Sequence, residues 1–402
     1  MTTVAADPFA ATTESARLAA YAELAEAGPV VRITLPNGLP AWLVTRRSEC
    51  RTVLNDERFN KTGTPVGVLL RKLRPHLVPA ISSHMLVTDG SVHTRLRRLV
   101  NAAFTRRPME ALDGRIQEIT TGLLNGLADR GDQPVDLLAE FAYPLPMTVI
   151  CDMLGVPDAY RASFRAQIMT VSAGVYIDEA DFAAAADGIV EMMRNLVALK
   201  RAEPADDLVS ALVAARDGGD QLSEDELTSM IWLLTVAGHE TTVNLLASGI
   251  AALLTHPEQL ARLRAEPALI SSAVEELLRF CSPVQVTFPV VATVDTEVAG
   301  VRIPAGEPVV PALLPANRGV ADESDALDLG RSPNHHLAFG HGAHHCLGAP
   351  LARLEARIAL GALLERFPDL RLAVAPDQLR WRPNFLFHGL TELPVRLAYA
   401  KS

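Results

Sequence analysis

No run of about 18 uninterrupted apolar residues occurs in the 402-residue chain, so no membrane-spanning helix is expected. Met1 to Pro8 also lacks the basic start and apolar core of a secretory signal. Cysteine is scarce. Cys50, Cys151, Cys281 and Cys346 lie far apart with no framework spacing, which argues against a disulfide scaffold and fits a reduced, cytoplasmic setting. Basic residues are outnumbered, 37 Lys and Arg against 47 Asp and Glu, and the formal charge of −10 argues against a nucleic-acid partner. No Gly/Ser linker, repeat or low-complexity tract divides the sequence. Length alone would permit about two or three domains. Residues 1–402 are nevertheless expected to fold as a single domain, because 49% hydrophobic and 21% charged residues suit a chain that buries a large core.

The most informative stretch is Phe339-Gly340-His341-Gly342-Ala343-His344-His345-Cys346-Leu347-Gly348, which runs into Ala349-Pro350-Leu351. Its glycines permit a tight backbone path. Pro350 and the spaced Leu351, Leu354, Ile358 and Leu360 then start a helix. Cys346 is thus expected at a helix N-terminus, where unpaired N–H groups favour thiolate over thiol. Three roles compete for it. A lone cysteine is by default a buried structural residue, but the crowd of glycines and histidines weakens that default. Zinc would use His335, His336, His341, His344 and His345, but a structural site usually pairs short-spaced ligands around four positions, often with more than one Cys. The third role is thiolate ligand to a haem iron.

Earlier segments add pattern. Val30–Leu35 and Ala41–Thr45 flank Pro36-Asn37-Gly38, a hairpin signal. Most of the chain from there to Thr287 reads as helical. In Val92–Val100, His93 and Arg97 stand four apart on one helix face. Ser223-Glu224-Asp225-Glu226 is a capping box that opens a long helix closing at His256-Pro257. In its middle lies Ala237-Gly238-His239-Glu240-Thr241-Thr242. A mid-helix glycine costs about 1 kcal/mol against alanine and calls for a reason; a threonine that bonds the carbonyl one turn back is the plain alternative to a functional hydroxyl. Glu276 and Arg279 are three apart on another helix, and strand-like segments fill Thr287 to Pro311.

Taken in chain order, His93-x-x-x-Arg97, Ala237-Gly238-x-Glu240-Thr241, Glu276-x-x-Arg279 and Phe339-Gly340-x-Gly342-x-His344-x-Cys346-x-Gly348 resemble the motifs of the cytochrome P-450 superfamily. The resemblance runs from the first hairpin to Leu390–Val395 and is greatest to the actinobacterial branch that tailors polyketide macrolides. It implies a mainly α fold, a helical haem-binding domain with a small β-sheet region, and haem b (iron protoporphyrin IX) as cofactor. Cys346 would be the metal ligand. His93 and Arg97 would bind haem propionates, with His336 and His344 as further partners, and Ala237, Gly238, Phe339 and Gly348 would also line the cofactor. Gly238 would clear space above the iron, while Glu240 relays protons and Thr241 holds a water or the bound oxygen. Glu276, Arg279 and Arg331 would form a structural triad. Two positions depart from the pattern: Val290 stands where a propionate-binding arginine is expected, and Val294 where glutamate is common.

The same resemblance implies monooxygenation of a bulky lipophilic natural product, by hydroxylation or epoxidation. Dioxygen and electrons from a ferredoxin and ferredoxin reductase would drive it, in a monomer. Arg95, Arg98, Arg106 and Arg107 with Arg353 and Arg357 would make a basic dock for an acidic ferredoxin. The rivals are a peroxide-driven peroxygenase and a haem-based sensor. Pocket residues would come from Lys61–Met85, Phe164–Glu191, Leu233–Ala237, Val284–Phe288 and Phe385–His388, with Val284, Val286, Phe288, Phe385, Leu386 and Phe387 suiting an apolar substrate. Arg71, Lys72, Arg74 and His76 read as solvated loop charges or as holders of an anionic or carrier-bound substrate.

Overall fold

Ser223 and Glu226 cap the element on which the rest is built. Glu226 N–H donates to Ser223 Oγ at 3.0 Å, and Ser223 N–H donates back to the Glu226 carboxylate at 2.8 Å. From this box the helix Glu224–Thr255 runs 32 residues, about 48 Å at 1.5 Å per residue. It is apolar nearly all round, the mark of a helix packed on every side. One flank carries Leu245, Leu246 and Ile250 into a core with Leu277 and Leu360; the other carries Met230, Ile231 and Val243 into a core with Ile150, Ile189 and Met193.

The protein is described by a computed structural model covering residues 6–61, 77–101, 106–131, 133–172, 176, 178–217, 222–319 and 325–397. Helices dominate it, as expected, and the strands among the described residues are short. The hairpin forms at the anticipated turn. β1 (Val30–Thr34) pairs antiparallel with β2 (Pro40–Val44), Val30 opposite Val44 and Thr34 opposite Pro40. The strand-like region after Thr287 becomes β5 (Val290–Ala292), the β6–β7 ribbon (Thr296–Val298, Val301–Ile303) and β8 (Pro308–Pro311). β5 and β8 join the hairpin and β3 (Phe59–Asn60) in a sheet of order β1-β2-β8-β5-β3, while β6 and β7 pair with each other in a separate ribbon. β4 (Val135–Asp136), β10 (Pro394–Arg396) and β9 (Arg371–Leu372) form another.

Below the glycine-rich loop, the helix Ala349–Arg366 buries Leu351, Ala356, Leu360 and Leu363. It also buries a carboxyl. Glu355 is 1% exposed, and its Oε2 has no hydrogen-bond partner among the described residues. Burial raises its pKa to about 8, so it stays protonated at neutral pH. An acid raised in the folded state contributes most below its unfolded value, about 4.3. That contribution declines as pH rises and is lost by the time pH passes about 8. Glu355→Gln, neutral at every pH, is therefore expected to stabilise the protein at pH 7 by about 1 kcal/mol and to flatten this decline. Urea midpoints across that pH range check it; parallel curves for the two proteins would refute the buried neutral acid.

Candidate active site

Gly342 fixes the path of the cysteine loop. Its φ of +72° is left-handed, and a Cβ there would stand 2.5 Å from the Leu54 carbonyl oxygen of the helix Arg47–Asn55. The loop closes by hydrogen bonds from Gly340 N–H to Leu337 O (2.8 Å), His345 N–H to Gly342 O (3.1 Å) and Cys346 N–H to Phe339 O (2.9 Å). Asn317 anchors it from outside: Leu337 N–H donates to Asn317 Oδ1 at 2.6 Å, and Arg279 donates to the Asn317 carbonyl at 2.8 Å. Phe339 lies under the Arg353 guanidinium, 4.5 Å from the ring centre.

Cys346 has an open surface, whereas Cys50, Cys151 and Cys281 are buried. The helix begins at Ala349, behind Gly348. Desolvation pushes the Cys346 thiol up, and the N–H groups of Gly348 and Ala349 with the charges of Arg97 and Arg353 offset this only in part. A metal cation deprotonates a coordinating thiol outright, so this sulfur suits a metal ligand better than a free nucleophile. Among the described residues no group of three or more His, Cys, Asp or Glu is arranged for a metal, so zinc lacks its ligand set.

His93 and Arg97 project from the helix Gly90–Asn101 beside this loop. His93 is buried, and its Nε2 has no hydrogen-bond partner among the described residues. Its ring lies 4.3 Å from that of His344. Arg97 donates to the His345 carbonyl at 2.7 Å. His93 and Arg97 border an open cleft of about 400 Å³, which Ala343 also lines. His344 donates from Nε2 to Asp89 at 3.3 Å, and burial, with the charges of Lys61 and His93, lowers its pKa to about 4. His336 departs from expectation. Its Nε2 faces Glu275 at 3.1 Å and its Nδ1 accepts from Ala338 N–H at 3.2 Å, so neither nitrogen is left for a propionate. Burial would raise Glu275, but Arg353 and His336 pull it down to about 2.

Between Leu227 and Leu253 the long helix is open only at Val236, Ala237, Gly238 and Thr241. Thr241 Oγ1 donates to Ala237 O at 3.0 Å, the one-turn-back bond. The missing side chain of Gly238 would meet Ile150 Cδ1 at 2.9 Å, so glycine there lets the helix Pro144–Leu154 approach. Glu240 is buried and paired with Arg382, which also donates to Asn244 at 3.1 Å. Sequence reasoning missed Arg382, which lies 142 residues further on. His239 sits with Nε2 3.7 Å from Glu240. Because Nδ1 faces Thr235 O at 3.0 Å and must donate to it, Nε2 carries a lone pair, and burial lowers the imidazole's pKa.

The Glu276–Arg279–Arg331 triad forms as expected. The pocket list needs trimming. Val286, Phe387 and His388 are buried within the protein, His388 between Glu14 and the Cys281 carbonyl, while Val284, Phe288, Phe385 and Leu386 keep open surface. Arg95, Arg353 and Arg357 each pair with an acid, Glu226, Glu275 and Asp113, so the expected basic dock is of mixed charge there. Arg71, Lys72, Arg74 and His76 lie outside the described residues, as do the side chains of Arg106 and Arg107.

A long helix with one open window, an open cysteine in a glycine-bound loop and a His–Arg pair beside it agree with the motifs of a haem-thiolate oxygenase. The family model for cytochrome P450 matches residues 177–319 and 321–386, and the chain belongs to that family. It is 48% identical over 385 residues to cytochrome P450 107B1 of Saccharopolyspora erythraea, covering 94% of each chain. It is 44% identical to the mycinamicin IV hydroxylase/epoxidase of Micromonospora griseorubida, covering 93% of this chain and 94% of that one. Its fold matches the tirandamycin C-bound P450 monooxygenase TamI with a TM-score of 0.87 at 41% identity, covering 94% of this chain and 97% of that one. The protein is a P450 oxidoreductase, and its cofactor is haem. The residues present fit that group: an open sulfur for the iron, and for the carboxylates Arg97 and the unpartnered Nε2 of His93. Among the described residues no helix is long and apolar enough to cross a membrane.

Proposed function

We propose that the protein inserts one oxygen atom from dioxygen into a bulky lipophilic natural product of the polyketide or macrolide kind, with electrons from a ferredoxin and its reductase. The observations that carry this are the opening of an otherwise buried helix at Val236–Gly238 and Thr241 and the open apolar surface kept by Val284, Phe288, Phe385 and Leu386 in the segments expected to line the pocket. Cys346 Sγ ligates the haem iron, while His93 and Arg97 hold propionate oxygens. Bound haem supplies the activation of dioxygen once electrons arrive. The chain's part is then to exclude bulk water and deliver protons. Arg382, 33% exposed at its side chain, pairs with the buried Glu240; the Glu240 carboxylate takes up a proton from water entering past Arg382 and releases it to Thr241 Oγ1 once that hydroxyl leaves the Ala237 carbonyl.

Spectral binding and turnover of lipophilic polyketides with a generic ferredoxin system test this. Product formed only with hydrogen peroxide would make the protein a peroxygenase, and no product despite an intact thiolate-haem spectrum would make it a sensor. Thr241→Ala is expected to keep haem and substrate binding while product per electron falls by about 10²-fold, the lower end for a lost proton-transfer group because water substitutes in part. Electron consumption measured against product and peroxide checks it; full coupling would remove Thr241 from the relay.

A further inference from the structure

Lys61, just after the end of β3, is a buried cation. It is 6% exposed. Its backbone N–H donates to Asp89 Oδ2 at 2.6 Å, and its Nζ donates to the Phe288 carbonyl at 3.3 Å. An ammonium has three donors; this one has a single long bond to a carbonyl, with the Asp89 carboxylate as its nearby counter-charge. The surroundings belong to the cofactor side of the molecule. Asp89, which Lys61 touches, also accepts from His344, and the His344 ring lies against His93.

The strand register supplies the second observation. β3 and β5 pair antiparallel with Phe59 opposite Ala292 and Asn60 opposite Val291. Lys61 follows directly on β3, which ends at Asn60, and its Nζ reaches the Phe288 carbonyl two residues before Val290. Val290 is buried and offers an anion nothing. Haem carries two carboxylates, and His336 is tied to Glu275.

We propose that Lys61 is the cation for the haem propionate that Val290 cannot hold, the charge having moved across the strand pair to the residue that follows β3. Arg97 and His93 then serve one propionate and Lys61 the other. Because its ammonium is buried beside Asp89 and the Phe288 carbonyl, Lys61 is pre-positioned and loses little freedom when the carboxylate arrives. This rests on the haem reading of the site.

Haem transfer to an acceptor apoprotein tests it, with the thiolate-haem spectrum of wild type recorded first. Absence of that spectrum would overturn the haem assignment itself. Given the spectrum, Lys61→Met, which keeps the stem and removes the charge, is expected to lose haem about tenfold faster, the scale of one charge-assisted hydrogen bond. Lys61→Met/Val290→Arg should return to within about threefold of wild type, since the guanidinium restores the charge from the opposite strand. Reconstitution with haem dimethyl ester, which has no carboxylates, should erase the difference between wild type and Lys61→Met. Unchanged haem loss in Lys61→Met, or an equal defect with haem and its ester, would overturn the proposal. Circular dichroism of the apoproteins reports folding. If Lys61→Met does not fold, the double variant and Lys61→Arg carry the comparison, and faster haem loss in both overturns the proposal.

Discussion

Cys346→Ser is expected to abolish the red-shifted Soret band of the reduced carbon monoxide complex and to lower product formation more than about a thousandfold, over 4 kcal/mol of barrier. The substitution removes one property. Serine is close to cysteine in shape, and the backbone bonds that close the loop, Cys346 N–H to Phe339 O at 2.9 Å among them, do not involve the sulfur. Gly348 and Ala349 N–H would still find an acceptor. A serine hydroxyl is not deprotonated as a thiol is, so the soft anionic donor that pushes electron density toward the iron is lost. The fold should survive, because the side chain has open surface and anchors no core. Far-ultraviolet circular dichroism alongside the carbon monoxide spectrum checks both halves. A variant that keeps the band would end the assignment of Cys346 as ligand.

What could be read from the sequence was local. Ser223 and Glu226 sit three residues apart, and Asn37-Gly38 lies between two alternating runs, so the long helix and the hairpin were written in adjacent residues. The Glu276–Arg279 pair was equally local. The rest depends on contacts between distant segments. Arg382 reaches Glu240 from a turn packed so closely that a Cβ on Gly389 would stand 2.0 Å from Asn244 Oδ1. No spacing rule connects residues 240 and 382. Five histidines between His335 and His345 look alike in sequence, and only packing shows that His336 turns to Glu275 while His344 turns to Asp89 and His93. Val286 was misjudged for a more elementary reason. Residues two apart in regular extended backbone share a face, but the chain bends at Gln285, so Val286 goes into the core with Phe9 and Tyr21 while Val284 keeps open surface. The N–H groups of Gly348 and Ala349 face the Cys346 sulfur, as the helix start implied, whereas the desolvation that opposes them cannot be seen in sequence.

Glu276→Ala is expected to cost about 3–5 kcal/mol of folding stability, the usual consequence of stripping one partner from a buried ion pair. The carboxylate has no exposed surface. It accepts from Arg279 Nε at 2.8 Å and Nη2 at 2.7 Å, from Arg331 Nε at 3.1 Å, from Asn334 at 3.0 Å and from the backbone N–H of Asp328 at 2.9 Å. Removing it leaves a guanidinium that is 3% exposed with only neutral carbonyls, those of Asn317 and Ala326, to face its charge. Against a typical total of about 5–15 kcal/mol this is a large fraction. The damage should not stay local. Arg279 holds the Asn317 carbonyl, and the Asn317 side chain accepts from Leu337 at the start of the cysteine loop, so loosening Arg279 loosens the sulfur's support. Glu276→Gln keeps the shape and an acceptor but not the charge, and should cost roughly 2 kcal/mol. Urea midpoints rank the three proteins, and haem loss should follow the same order. If Glu276→Ala unfolded at the wild-type midpoint, the network would not be structural; if stability fell while haem loss did not change, the link through Asn317 would be broken.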